Sequence, residues 1–256
     1  MKPLDFDITQ APGALHSLLA GAKLYDNSGH SGAQTLFVDR DGGYFLKIAA
    51  AEKLTREAEM TRYFHRKGMA AKVAAYHTGE RDWLLTEKMP GEDCTAAHYL
   101  AEPARLCDIL AETLAWLHSM DCGDCPLHTP WYLESVRHNY QTGDYDKSQF
   151  PDSFGYASAE AAWGVIETRG HLLESNTLLH GDFCLPNVML RNWAFSGLID
   201  VNGGAGDRHV DLFWALWSLG YNTGTDQYRQ RFIDAYGREK VDEERLRVVA
   251  AAEVFG

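Results

Sequence analysis

The chain has 256 residues, 45% of them hydrophobic and 23% charged, and a formal net charge of -12. That length and apolar content support a full core, in one large domain or two lobes, and exclude a disordered chain. The acidic balance argues against nucleic acid as a partner, because phosphate backbones are repelled; it suits a cationic ligand, with plain solubility as the other reading. No apolar run reaches membrane-span length, and the opening residues Met1-Lys2-Pro3-Leu4-Asp5-Phe6-Asp7 carry no apolar signal core. A soluble, cytoplasmic protein with no membrane partner is therefore expected. The five cysteines, an odd number, do not read as a disulfide framework. Cys122 and Cys125 form a C-x-x-C flanked by His118 and His128, but no second ligand pair follows at zinc-site spacing.

In chain order, Thr35-Leu36-Phe37-Val38 and Tyr44-Phe45-Leu46-Lys47-Ile48 predict two strands joined by the turn Asp39-Arg40-Asp41-Gly42-Gly43. A helix is predicted over 52–67, stopped by Gly68, and Trp83-Leu84-Leu85-Thr86 reads as a further strand. Met89-Pro90-Gly91 breaks the chain, which places a lobe boundary there, between an N-terminal lobe of residues 1–91 and a helical C-terminal lobe of residues 92–256. Pro103 opens a helix with an apolar stripe of Leu106, Ile109, Leu110, Leu114 and Leu117. Short strands are predicted near Val188-Met189-Leu190 and Gly197-Leu198-Ile199. A helix apolar nearly all round spans 209–219, another covers 226–236 before Gly237, and Asp242 can cap a last one. The expected fold is α+β, a small antiparallel-sheet lobe followed by a larger helical lobe, the outline of the protein-kinase-like fold.

The segment His180-Gly181-Asp182-Phe183-Cys184-Leu185-Pro186-Asn187 fits H-x-D-x-x-x-x-N, the catalytic loop of kinases. Phosphoryl transfer needs a carboxylate to orient and deprotonate the attacking hydroxyl, here Asp182, and an oxygen ligand that holds Mg²⁺ against the phosphates, here Asn187. After one hairpin, the apolar strand Gly197-Leu198-Ile199 ends in Asp200, a second metal ligand of hard oxygen type, expected to return beside Asp182 and Asn187. Lys47 interrupts an apolar strand, which is costly unless it is paired. Its expected role is to hold the α- and β-phosphates while a helix glutamate fixes it; Glu57 is the candidate, with Glu52 and Glu59 as competitors. Asn27-Ser28-Gly29-His30-Ser31-Gly32-Ala33 offers small residues whose N–H groups can approach phosphates, although it does not match G-x-G-x-x-G.

On these residues the chain resembles the aminoglycoside 3′-phosphotransferases over nearly its whole length. The stretch from Leu117-His118 to Cys125-Pro126 is similar to the family's L-H-x-[IVL]-x-x-x-x-C-P, and His180 to Asn187 to its H-G-D-x-C-x-P-N. Ile199-Asp200, the following Gly206-Asp207-Arg208-His209-Val210-Asp211, and the tail Ala252-Glu253-Val254-Phe255 are similar to its metal aspartate, its A-D-[RK]-x-x-D and its acidic-aromatic end. The resemblance implies ATP or GTP as donor, Mg²⁺, and transfer of the γ-phosphoryl to a hydroxyl of a cationic sugar antibiotic, conferring resistance. It implies a hinge at Lys88 and Met89 whose backbone holds the base, and it places Ser31 at the phosphate-loop serine. The acceptor is expected to meet Asp152, in the acidic stretch with Asp144 and Asp146, and Glu253 and Phe255 of the tail. The chain departs from the family in two places. Asp200-Val201-Asn202-Gly203-Gly204 lacks the arginine of D-x-G-R, and Trp217-Ser218-Leu219-Gly220-Tyr221-Asn222 is uncharged where the family carries charges facing the drug. The nucleotide and metal chemistry is therefore expected intact and the acceptor pocket altered.

Two other readings compete. One is a kinase of another small metabolite, such as an amino alcohol or amino sugar. The other is a non-catalytic nucleotide-binding regulator, or a zinc-binding one built on Cys122 and Cys125. A monomer or weak dimer is expected.

Overall fold

A computed structural model describes residues 2–29, 32–150 and 152–256. In chain order the elements are β1 (Lys2–Leu4), α1 (Gly13–Leu19), β2 (Lys23–Asp26), β3 (Gln34–Asp39), β4 (Tyr44–Ala50), α2 (Thr55–Arg66), β5 (Val73–His77) and β6 (Arg81–Glu87). They continue with β7 (Glu92–Asp93), α3 (Ala97–Leu100), α4 (Pro103–Leu117), α5 (Thr129–Thr142), α6 (Ala159–Arg169), β8 (Thr177–Leu179), β9 (Val188–Arg191) and β10 (Ala194–Leu198). The last are β11 (Gly204–Gly206), α7 (His209–Thr223), α8 (Arg229–Tyr236) and α9 (Glu243–Glu253). No helix among the described residues is long and apolar enough to cross a membrane.

The chain forms two compact units. The first takes the chain up to Glu92 together with Met189–Asn202; the second takes Asp93–Val188 and Gly203–Gly256. The residues 189–202, assigned on sequence to the second lobe, thus belong to the first. The reason is their hydrogen bonding: Leu198 N–H donates to the Met69 carbonyl at 2.8 Å, Ser196 Oγ to the Pro90 carbonyl at 2.6 Å, and Arg56 Nε to the Asn202 carbonyl at 2.8 Å. Gly197 lets this hairpin in, because a Cβ there would collide with the Met89 side chain. Asn192 and Trp193 turn the hairpin with φ of 53° and 68°, the left-handed pair of a tight two-residue turn.

In the first unit a six-stranded sheet runs in the order β1-β2-β3-β4-β6-β5, antiparallel throughout. Alternation along β4 decides which side chains face which way. Leu46 and Ile48 enter one core with Leu36, Val38 and Leu85. Ala49 faces the opposite side, where it packs with Leu54 and Ala58 of the α2 segment and with Leu84. Lys47 shares the parity of Ala49, so its side chain lies on the α2 side. The helix predicted from residue 52 starts at Thr55, since Glu52 sits at φ 66° and the buried Asp82 carboxylate takes the Leu54 N–H at 2.8 Å. Gly68, at φ 75°, ends it as expected.

In the second unit α4 packs on α8, and α9 on both α6 and α7. Helices α5 and α6 were absent from the expected elements. α6 buries only Ala159, Ala162 and Ile166, a stripe too small to read as apolar periodicity, although Ser158 caps it by accepting from Ala161 N–H. The pair β8–β11 places Gly204 opposite Leu179. The approach beside it admits only glycine at position 203, where a Cβ would overlap the Leu179 carbonyl.

The last residues are core rather than surface. Phe255 is fully buried, edge-on to Tyr140 and Tyr145 at 5.4 and 5.1 Å, and its carbonyl accepts from Asn139 Nδ2 at 2.8 Å. Phe255→Ala is accordingly expected to cost ~3–5 kcal/mol of unfolding free energy, checked by urea denaturation; a change under ~1 kcal/mol would show the tail to be dispensable to the core.

Candidate active site

In the first unit Lys47 is held from two sides. Its Nζ lies 2.8 Å from Glu57 Oε1 and 2.7 Å from Asp200 Oδ1, with only 14% of its side chain exposed. Of the three glutamates considered, Glu57 is the one that pairs. Burial works against the ammonium charge, but Asp200 and then Glu57 outweigh it, so the Lys47 pKa stands above its ordinary value and the side chain stays a cation. Burial pushes the Glu57 carboxyl up; Lys47 counters and Asp200 adds to it. Asp200 follows β10 at φ 60°, a strained conformation for a non-glycine residue, and keeps its side chain 39% exposed. Lys88 donates its N–H to the Gly43 carbonyl at 2.9 Å, so the main-chain groups left for a base at this hinge are its carbonyl and those of half-buried Met89. Ser31 lies outside the described residues.

In the second unit the loop after β8 is clasped from within. Asn187 Nδ2 donates to Asp182 Oδ2 at 2.8 Å and to the Asp182 carbonyl at 3.0 Å, while Cys184 Sγ donates to Asp182 Oδ1 at 2.8 Å. Asp182 is half-buried and Asn187 buried. With its NH₂ committed to Asp182, Asn187 keeps its amide oxygen for another partner. Burial, then the Asp182 charge, raises the Cys184 thiol far above its ordinary range, so it stays a protonated donor.

The loop is hung from a residue whose role sequence reasoning missed. Asp211, fully buried on α7, accepts from the His180 and Gly181 N–H groups, each at 2.8 Å, and from His118 Nε2 at 3.1 Å. Burial pushes its carboxyl up, but these partners win and hold it below the usual range. His118 Nδ1 meets the Tyr236 hydroxyl at 2.7 Å, and burial lowers the His118 pKa, so the ring is neutral. Two turns on, Ser218 Oγ accepts from Leu185 N–H at 3.0 Å. The available signal was the spacing of Asp211 and Ser218, seven residues apart on a single helix face.

Asp207 is structural. Its buried carboxylate takes the His209 and Glu174 N–H groups, each at 2.9 Å, and the Arg245 guanidinium at 3.0 Å, so it ties down the start of α7. Of the acceptor candidates, Asp152 is exposed. Glu253 is partly buried and accepts from the Tyr132 hydroxyl at 2.7 Å. Burial raises its carboxyl to about 7; Tyr132 and Trp214 hold it down, and the Asp182 charge pushes it further up. Phe255 does not belong with them: fully buried, its ring cannot touch a ligand, and it acts by fixing the backbone that carries Glu253. Cys122 and Cys125 are half-buried, and the Cys125 N–H donates to the Cys122 carbonyl at 3.0 Å in a turn. Among the described residues no group of three or more His, Cys, Asp or Glu side chains is arranged to hold a metal ion.

A lysine fixed by a helix glutamate and paired to the post-hairpin aspartate, with an aspartate–asparagine loop on a helical unit, defines a kinase-like phosphotransferase. The model of the phosphotransferase enzyme family (APH) matches residues 25–249, and the chain belongs to that family. It is 46% identical over 260 residues to a probable aminoglycoside 3′-phosphotransferase of Lactococcus lactis subsp. lactis (strain IL1403), covering 100% of this chain and 99% of the relative. The crystal structure of a type VIII aminoglycoside 3′-phosphotransferase is similar at a TM-score of 0.81 and 26% identity, covering 97% of this chain and 99% of the other. An aminoglycoside phosphotransferase from Streptomyces rimosus ATCC10970, solved with ADP and streptomycin, shares the fold at a TM-score of 0.77 and 17% identity, covering 98% and 99%. The resemblance read from the sequence is borne out, and with it the fold class and the enzyme class.

Glu253 supplies a pH test. Its carboxyl is raised in the fold from 4.5 to about 7, so the protonated form is the one the fold favours. The stability it contributes is full below the ordinary value and is lost as pH rises through the folded one. Glu253→Gln should therefore gain stability relative to the wild type between about pH 5 and pH 8, read as the difference of melting temperatures; a pH-independent difference would contradict the raised carboxyl.

Proposed function

We propose that the chain transfers the γ-phosphoryl of ATP or GTP to a hydroxyl of a cationic, hydroxyl-rich small molecule, an aminoglycoside or close relative, and so confers antibiotic resistance. The observation that carries the reading is the clasp on Asp182, which aims one carboxylate from a rigid loop. The full-length likeness to a probable aminoglycoside 3′-phosphotransferase supplies the acceptor class. Asp182 orients the acceptor hydroxyl and takes its proton as the oxygen attacks. Lys47, kept straight by Glu57, holds the α- and β-phosphates; the base is held by main-chain groups at Lys88 and Met89. Ser31 is proposed to meet the phosphates, and Asp152 and Glu253 the acceptor's ammonium groups.

The donor set also fits Mg²⁺: a free amide oxygen on Asn187 and a carboxylate on Asp200 are hard ligands of the kind this ion takes. Bound there, the ion would neutralise charge on the phosphates. Asn187 orients both Asp182 and its own oxygen, and Lys47 sets the position of Asp200.

Asp182→Ala is expected to lower kcat by roughly 10²-fold or more, with the nucleotide KM within about twofold, in a coupled ADP/GDP-release assay; turnover within about tenfold of the wild type would remove Asp182 from the chemistry. The same assay, run with both nucleotides against aminoglycosides, other basic antibiotics and amino alcohols, identifies donor and acceptor.

Asp200→Asn should raise the Mg²⁺ concentration needed for half activity by about tenfold, and should also lower the melting temperature because Lys47 loses one of its two carboxylates. Asp207→Asn, which alters a buried ion network, should destabilise by ~3–5 kcal/mol with its Mg²⁺ dependence unchanged. Equal Mg²⁺ titrations in the two variants would overturn the assignment.

A further inference from the structure

Beside the face of α7 that holds the catalytic loop, the helix carries an aromatic series. Asp211 and Ser218 of this helix hold the loop that carries Asp182, and Trp214 and Trp217 lie between and beside them in the chain. Trp217 crosses Trp214 edge-on at 5.5 Å, and Tyr221 stacks on Trp217 at 5.1 Å with the planes 12° apart. Exposure rises outward along the series: Trp214 is half-buried, Trp217 is 41% exposed and Tyr221 73%. Phe154 packs edge-on against Phe213, Trp214 and Trp217 at 5.3, 6.1 and 6.2 Å. Its φ of 48° is a strained conformation that a bulky residue keeps only when its surroundings impose it. Exposed Asp152 lies two residues earlier in the same segment.

A flat, exposed π surface on an acidic protein has a definite complement. The negative ring face attracts both the weakly positive C–H face of a pyranose and an ammonium group placed over it. Residues 217–222 carry no charge of their own, so this surface supplies apolar contact and few ion pairs. Resting on the phosphotransferase reading above, we propose that Trp217 and Tyr221 are the stacking platform for the acceptor's sugar ring, and that they select amino sugars carrying few ammonium groups over polycations. Trp217 neighbours Ser218, whose Oγ accepts from Leu185 N–H at 3.0 Å, so the platform sits on the helix that anchors the loop of Asp182. Binding then rests on ring stacking, which salt screens little, more than on exposed ion pairs, which it screens strongly.

The test compares wild type, Trp217→Ala, Trp217→Phe and Tyr221→Ala, with glucosamine, neamine and kanamycin as acceptors. At saturating nucleotide, Trp217→Ala and Tyr221→Ala should raise the KM of the preferred acceptor by about tenfold or more, with kcat and nucleotide KM within about twofold, and Trp217→Phe should stay within about threefold. The preferred acceptor should be glucosamine or neamine, its KM rising less than about threefold between roughly 0.05 and 0.5 M KCl. Turnover of any of these sugars with unchanged KM in both alanine variants would overturn the platform and leave the phosphotransferase reading standing, as would a preference for kanamycin with steep salt dependence. If the wild type phosphorylates none of them, the acceptor reading fails; the platform is then judged by sugar-induced quenching of tryptophan emission. Quenching that is lost in Trp217→Phe supports it, and no quenching in the wild type overturns it. Dimer dissociation on Tyr221→Ala, seen by light scattering, would show the exposed pair to be an interface between copies and overturn the proposal.

Discussion

Asp211 is fully buried and yet held ionised, because two main-chain N–H groups and a neutral histidine point at it. A buried carboxylate without such partners would be severely destabilising. The partners are the backbone of His180 and Gly181, so satisfying the charge and positioning the catalytic loop are one event. His118 and Tyr236 extend the arrangement to α4 and α8, which ties the loop to the helical core. Ser218 adds a second tether to the Leu185 N–H. Asp182 and Asn187 can then be oriented by each other, since the backbone between them has no freedom left.

The first unit solves a similar problem with opposite charge. Lys47 sits in a strand whose neighbours belong to a core, and its ammonium is tolerated because two carboxylates meet it. Glu57 is held in α2, while Asp200 reaches Lys47 because the β9–β10 hairpin is bonded to Met69, Pro90 and Arg56. The positive φ at Asp200 is consistent with a carboxylate placed for function rather than for comfort.

Near the end of the chain, Glu253 is a carboxyl that burial and a Tyr132 hydroxyl hold in place. Burial weakens its acidity, and a cationic ligand would favour the charged form that the empty fold resists. The buried Phe255, packed on Tyr140 and Tyr145, fixes the backbone two residues beyond Glu253.

Much of this was legible in the sequence because it depends on short-range spacing. The H-x-D-x-x-x-x-N loop, the aspartate one hairpin later, the lysine in an apolar strand and a glutamate ten residues on are local patterns with chemical meaning, and Glu57 could be preferred over Glu52 and Glu59 before any coordinates. Gly68, Pro103 and Asp242 marked helix ends because capping is local as well. Tertiary structure alone decided which unit the 189–202 hairpin joins, that Phe255 is core, and that Asp211 carries the loop. Each of these turns on contacts between residues far apart in the chain, such as Leu198 with Met69, Phe255 with Asn139 and Asp211 with His118. A side chain's periodicity says which face it occupies, but not what that face meets; burial and long-range hydrogen bonding supply the answer, and they exist only once the chain has folded.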